Sequence, residues 1–232
     1  MNNLSHNSQV PKGKVIAIDG PAGSGKSTTA KIVAERLGFT YLDTGAMYRA
    51  LTYYALENKI NLSDEKKLAE IAEQLSLEIR SKDGGDFVYL NGQDISSEIR
   101  TPEVTKNVSE VSAHLLVRQA MVARQKEFGK NGSIVAEGRD TTTVVFPDAD
   151  LKIYMDASVK ERARRRLLDL SNSGIESDLN EQEQDISRRD KYDSGREHSP
   201  LTRAEDAVVI DTTNLTIKGQ VDRIVELFQA AG

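Results

Sequence analysis

The 232-residue chain contains no cysteine. A disulfide framework, a thiolate metal site and a cysteine nucleophile are therefore all excluded. Its three histidines, His6, His114 and His198, are far apart in sequence, which argues against a histidine-rich metal site. No stretch approaches the roughly 20 apolar residues that span a bilayer. The opening MNNLSHNSQVPKGK lacks the apolar segment of a secretion signal. The expectation is a cytoplasmic protein with residues 1–12 as a disordered lead. An excess of positive charge is lacking too: 31 Lys and Arg stand against 36 Asp and Glu, a net charge of −5. Polymeric nucleic acid calls for a broad basic face. The balance disfavours that partner and leaves room for a local pocket holding one nucleotide.

What is present reads first as alternating strand and helix. Lys14–Asp19 is a continuous apolar strand, followed by a glycine-rich turn and a helix that stops at Gly38. A second strand at 40–42 and a helix over 46–57, burying Met47, Ala50, Leu51 and Tyr54, complete two strand–helix units. That order implies a right-handed parallel sheet. The middle changes character: a helix over 63–74 precedes two strands, 77–81 and 87–91, around the turn signal Asp83-Gly84-Gly85-Asp86. An antiparallel hairpin inside a parallel pattern predicts an insert, about residues 65–108, after which Thr101 caps a helix with Pro102 at its first position. Buried strands resume at 133–136, 151–155 and 207–211. A helix runs from 158 to about 170, residues 172–180 read as a polar loop, and a last helix from Thr216 lines up Ile217, Val221, Ile224, Val225 and Phe228. The expected organisation is one domain over 13–232, with core segments 13–64 and 109–232 and a lid at about 158–180.

The strongest chemical signal is Gly20-Pro21-Ala22-Gly23-Ser24-Gly25-Lys26-Ser27, a complete G-x-x-x-x-G-K-S between a strand and a helix. Glycines let backbone N–H groups turn inward onto phosphate oxygens, and the helix start adds partial positive charge. Lys26 can reach the β- and γ-phosphates, and the Ser27 hydroxyl can take a magnesium position. The guanine-reading N-K-x-D and the D-x-x-G switch are absent, which favours a small-molecule kinase. In Leu42-Asp43-Thr44-Gly45-Ala46-Met47-Tyr48-Arg49 the apolar stripe faces the core, so Tyr48 and Arg49 are expected to project elsewhere; Thr44 could be no more than a helix cap. Glu137, Gly138, Arg139 and Asp140 follow a buried strand at its carboxyl edge, where ligands bind in open α/β sheets. Arg162, Arg165 and Arg166 share a helical face and could clamp phosphate. A solvated face would carry the same residues. Farther on, Asp185 and Arg189 could be a plain i,i+4 pair.

Taken in order, GPAGSGKS, YLDTGAMYRA, SSEIRTPEV, VAEGRD, TVVFPDAD, YMDAS and RRDKYDSGR resemble bacterial-type cytidylate kinase over residues 14–230. The resemblance implies the α/β fold of P-loop nucleoside-monophosphate kinases: a three-layer sandwich around a parallel sheet, with a small inserted α+β subdomain on the monophosphate side and a short lid. It implies transfer of the γ-phosphoryl of ATP to CMP or dCMP, with Mg²⁺. No obligate interface stripe is visible in the sequence, so a monomer is expected, and neither nucleic-acid polymer nor membrane is expected as a partner. Residues 20–27 together with Thr28 resemble the ATP phosphate loop, with Lys26, Arg162, Arg165 and Arg166 as the catalytic cations. Thr44, Tyr48, Arg49 and Arg139 match positions around the CMP phosphate. Ser109, Arg118, Asp140 and Arg196 match those that read cytosine, and Arg189 and Asp193 those near the sugar. The role of Glu137 stays open. A P-loop kinase for UMP or a hydroxylated acid, or a non-catalytic nucleotide sensor, would share the phosphate loop.

Overall fold

Unbroken valine, isoleucine and alanine suit a strand buried on both faces. Val15–Asp19 forms that strand, β1, at the centre of the sheet in the computed structural model, which describes residues 13–82, 85–130, 132–172 and 174–231. It is followed by α1 (Lys26–Leu37), β2 (Thr40–Asp43), α2 (Thr44–Glu57) and α3 (Glu65–Gln74). An antiparallel trio comes next: β3 (Leu77–Lys82), β4 (Gly85–Leu90) and β5 (Gln93–Asp94). After a 3-10 turn at Glu98–Arg100 the chain forms α4 (Pro102–Val111), α5 (Leu115–Lys130), β6 (Ile134–Gly138) and a π-helix at Thr141–Val145. The remaining elements are β7 (Leu151–Asp156), α6 (Val159–Asn172), α7 (Leu179–Gly195), β8 (Val208–Asp211) and α8 (Ile217–Ala231). The expected lead at 1–12 and the tip Asp83-Gly84 of the hairpin lie outside the described residues.

The main sheet has the order β2-β6-β1-β7-β8, and every neighbouring pair is parallel. Side-chain alternation divides it between two cores. Ile134 and Ala136 of β6 pack with α2, α3, α4 and α5, whereas Val135 joins Ile16 and Ile18 against α1 and α8. Helices on both faces of a parallel sheet make the expected three-layer α/β sandwich. Gly38, at φ 68°, ends α1, with its own N–H donating to Glu35 and that of Phe39 to Ala34. Asp43, not Thr44, caps α2, accepting from the Ala46 N–H at 2.9 Å.

Four features depart from the sequence pattern. Tyr48, expected to leave the core, is buried within it. Ile217, expected on the buried face of the last helix, is 36% exposed. The polar stretch after 172 is a loop only as far as the start of α7, a 17-residue helix with just Gln182, Ile186 and Asp193 buried. So sparse an apolar stripe gives little periodic signal. α5 is masked for a related reason, since Arg118 and Gln125 occupy buried positions where apolar residues would mark the stripe.

Candidate active site

The phosphate loop is shaped by contact with its neighbours. Gly20 adopts φ 149°, and a Cβ there would lie 1.9 Å from the Met155 carbonyl oxygen of β7. Gly25 precedes α1 in the left-handed region and supplies no side-chain cap, so the first-turn N–H groups face an anion site. Lys26 is buried, with Nζ donating to the Pro21 carbonyl at 2.9 Å. Burial, with the Arg139 charge adding to it, pulls the Lys26 pKa down from 10.5 to about 7. Bringing a phosphate alongside would relieve that stress. Ser27 donates to Glu137 Oε1 at 2.6 Å, and Tyr41 reaches the same oxygen at 3.3 Å. Thr28 is exposed beside Ser27 at the start of α1.

β6 and the π-helix carry the next group. Asp19, at the end of β1, accepts from the backbone N–H and hydroxyl of both Thr141 and Thr142. It is fully buried, and desolvation raises its pKa even against those four bonds. This carboxylate ties the phosphate loop to the turn bearing Arg139 and Asp140. Gly138 is needed for close approach: a Cβ would fall 2.3 Å from the Thr44 hydroxyl, which donates to the Glu137 carbonyl at 2.7 Å.

Arg49, Arg139, Arg166 and Arg189 converge next to that turn. Arg139 donates through Nε to Asp193 Oδ2 at 3.0 Å, and Arg189 lies 3.8 Å from the same oxygen. The expected Asp185–Arg189 pair is not made; Asp185 pairs with Arg188 one residue earlier. Burial lowers the pKa of Arg189 to about 9, with Arg139 and Arg49 repelling it further. Arg49 is lowered by burial and then by Arg139 and Arg166, against the pull of Asp43. It is steered by the Thr105 hydroxyl at 3.0 Å and the Ile99 carbonyl. So many cations around one carboxylate describe a place for a phosphate dianion.

Deeper in, Arg118 donates to Asp140 and to the Ser112 carbonyl, and its guanidinium lies over the Tyr48 ring. Arg196 donates to the Ser199 carbonyl at 2.6 Å. Ser109 sits half-buried on α4, accepting from the Ser112 hydroxyl through its carbonyl. Among the described residues, the buried side-chain atoms without a partner are Ser24 Oγ, the Tyr48 hydroxyl, Arg118 Nε, Arg189 Nε, Arg196 Nη2 and both carboxamide atoms of Gln125. Apart from Gln125, these belong to residues already singled out from the sequence. Unsatisfied buried polar atoms on the phosphate loop and among the site arginines mark a place for a ligand.

The three arginines that share a face of α6 find different partners. Arg162 turns inward, 4% exposed, and forms a bidentate pair with Asp190 while also donating to the Ala22 and Ala157 carbonyls. Arg165 reaches back to Glu161 and to both oxygens of Thr212, whose hydroxyl donates to the Ser24 carbonyl. Arg166 adds its charge to Arg49 and Arg189. Successive helical positions diverge by 100°, and side chains as long as arginine amplify the divergence.

Several contributors were not legible from motifs. Asp19, Thr105 and Thr212 act by holding named site residues, and only folding brings them near. Among the described residues, no group of three or more acids and histidines could hold a metal unaided. The adjacent Ser27 hydroxyl and Glu137 carboxylate do offer the hard oxygen donors that suit Mg²⁺ arriving with phosphates. His114 is committed elsewhere, with Nε2 against the Leu62 carbonyl. No helix among the described residues is long and apolar enough to cross a membrane.

Comparison with known proteins agrees with this geometry. The family model described as cytidylate kinase matches residues 16–230. A cytidylate kinase of Bacillus cereus (strain B4264) is 51% identical over 212 residues, covering 91% of this chain and 94% of the relative. One of Bacillus anthracis (strain CDC 684 / NRRL 3495) is 51% identical over 210 residues, covering 90% and 93%. In structure, the chain resembles an uncharacterized protein from Eubacterium ventriosum with a TM-score of 0.52 at 12% identity, covering 94% of this chain and 99% of that one. That likeness concerns the fold alone.

Proposed function

The chain belongs to the cytidylate kinase family, and from that premise we propose how its residues divide the reaction. The enzyme is an ATP-dependent kinase that transfers the γ-phosphoryl group to CMP or dCMP. The phosphate loop, residues 20–28, cradles the ATP phosphates, with Lys26 set against the transferred group. Ser27 and Glu137 hold Mg²⁺, which when bound neutralises phosphate charge. Arg49, Arg139 and Arg189 grip the acceptor phosphate beside Thr44 and Tyr48, with Asp193 orienting Arg139 and facing the sugar. Asp140 accepts from the exocyclic amino group of cytosine, and Arg118 donates toward its N3 or O2, with Ser109 and Arg196 alongside. Arg162, Arg165 and Arg166 carry the lid, of which α6 and the start of α7 form the body. The segment 65–108, containing the small antiparallel sheet, serves as the monophosphate-side insert.

The acceptor is already a phosphate oxyanion, so no strong general base is required. Catalysis then consists of alignment and charge neutralisation by fixed cations. One observation carries the reading: Asp19, beside the phosphate loop that bears Lys26, holds the turn that bears Arg139 through Thr141 and Thr142. The donor-side lysine and the acceptor-side arginines are thus neighbours, as two phosphates about to exchange a phosphoryl group require. A sensor that only bound ATP would need no second cationic grip. Every residue of both grips comes from one chain, so a single subunit suffices for the reaction.

The test is ADP release, followed by a coupled assay with CMP, dCMP, UMP and a hydroxylated acid as acceptors. Turnover with CMP and dCMP well above UMP is expected. ATP binding with no acceptor-dependent ADP release would instead identify a sensor.

A further inference from the structure

Gln220 shares the buried side of α8 with Val221, Ile224 and Val225, where an apolar residue would pack without burying a polar group. Its carboxamide is bonded at both ends. Nε2 donates to the Leu215 carbonyl at 3.1 Å, and Oε1 accepts from the Thr29 hydroxyl at 2.7 Å. Only the amide nitrogen can serve a carbonyl, so Leu215 fixes which way the group is turned. A Cβ at Gly25 would lie 3.1 Å from the same Oε1, so the carboxamide also backs the last glycine of the phosphate loop.

Both partners of Gln220 belong to segments that hold the backbone of that loop. Thr29 donates its N–H to the Gly25 carbonyl at 3.1 Å, drawing that carbonyl into α1. In a trans peptide the N–H points opposite to the C=O, so the Lys26 N–H is aimed out of the helix start, where an anion binds. Leu215 closes a turn by donating its N–H to the Thr212 carbonyl at 3.2 Å, and the Thr212 hydroxyl donates to the Ser24 carbonyl at 2.8 Å. The same opposition aims the Gly25 N–H away from Thr212. Two consecutive N–H groups are thus set by Thr29 and by the 212–215 turn, and the Gln220 side chain joins the two holders.

We propose that Gln220 is a positioning residue for ATP. It locks the 212–215 turn to the first turn of α1, and so keeps the Gly25 and Lys26 N–H groups aimed at the phosphates. Gln220 itself touches no substrate. Without it each carbonyl keeps its immediate partner, but the two holders lose their common reference and phosphate affinity falls. The acceptor grip stands on α2, β6 and α7, none of which Gln220 bonds, so it is spared. The proposal rests on the assignment of the phosphate loop to ATP made above.

The experiment uses the full chain with Gln220→Met, the double variant Thr29→Val/Gln220→Met, and the single variants Thr29→Val and Thr29→Ser. ATP binding with Mg²⁺ is titrated without acceptor, KM for CMP is measured at saturating ATP, and thermal unfolding is followed without ligand. Gln220→Met should weaken ATP binding about tenfold, the worth of about one hydrogen bond to a charged group. KM for CMP should stay within about twofold. Its Tm should fall, because the Thr29 hydroxyl and the Leu215 carbonyl lose their partner. Adding Thr29→Val removes one of those orphans and should return part of the Tm, while ATP binding stays as weak. Thr29→Ser keeps the hydroxyl and should bind ATP as the wild type does, whereas Thr29→Val should not. Unchanged ATP affinity in Gln220→Met, affinity that returns with Tm in the double variant, or an equal loss for CMP would overturn the proposal. Should Gln220→Met fail to fold, Thr29→Val beside Thr29→Ser decides, since equal ATP affinity in those two sinks the idea. Wild-type ATP binding tests the loop assignment separately: its absence would overturn that assignment, whereas normal binding with indifferent variants removes only the role of Gln220.

Discussion

Arg162 holds both oxygens of Asp190, Nη1 at 3.0 Å and Nη2 at 2.6 Å, and with the same guanidinium touches the phosphate-loop carbonyl of Ala22 at 3.2 Å. The pair links α6 to α7 and both helices to the loop that holds ATP. Arg162→Ala strands the Asp190 carboxylate, whose side chain is 25% exposed. Breaking a fully buried pair costs about 3–5 kcal/mol, so this partly solvated one should cost about 1–3 kcal/mol. Loss of the transition-state contact should lower kcat about a hundredfold or more while KM for CMP moves little. Unfolding curves and steady-state rates check both. An unchanged kcat would leave Arg162 a structural tie only.

Lys26→Met separates catalysis from stability. Phosphoryl transfer should fall by at least about a hundredfold, because a fixed cation at the transferred phosphate is lost. Stability at neutral pH should hold or rise, since the buried ammonium is itself under desolvation stress. The sign follows from linkage. The native pKa is about 7 and the ordinary value 10.5. Between them the unfolded chain binds this proton and the native one has released it, so wild-type stability rises with pH across that window. Lys26→Met should flatten the rise, as read from Tm against pH without ligand.

Asp140→Asn tests base choice. Its partner Arg118 is 4% exposed in its side chain, so replacing the carboxylate leaves a buried cation with a neutral neighbour. A loss of about 2–4 kcal/mol in stability is expected. CMP turnover should drop and the CMP-to-UMP ratio should narrow, because a mismatched buried polar group costs about 1–3 kcal/mol. ATP binding should be nearly unaffected. The measurement is kcat/KM for both acceptors; retained discrimination would remove Asp140 from base recognition.

Gly20→Ala probes the loop from behind. The added methyl carbon would meet the Met155 carbonyl at 1.9 Å, a backbone atom that cannot swing aside, at a φ that disfavours any side chain. Destabilisation of about 3 kcal/mol or more and loss of ATP affinity should appear together. Thermal unfolding and nucleotide titration would reveal a variant that behaved as wild type, which would contradict this loop conformation.

The sequence by itself determined the parts whose signal is local. Four consecutive apolar residues before GPAGSGKS specify a central strand feeding a phosphate loop, and Gly38 and Thr101-Pro102 punctuate their helices by backbone chemistry alone. Arg49, Arg139, Arg189 and Asp193 stood out as charged residues in motifs, and the fold brings them together. What only the tertiary structure decided depends on residues far apart in the chain. Asp19 reaches across 122 positions to hold the turn that bears Arg139 and Asp140 in register with the phosphate loop. Asp190 takes Arg162 as its partner, and Tyr48 turns into the core beneath the Arg118 guanidinium. Helical periodicity gives the direction in which a side chain leaves its helix, but the partner it finds there is set by which distant element packs against that face.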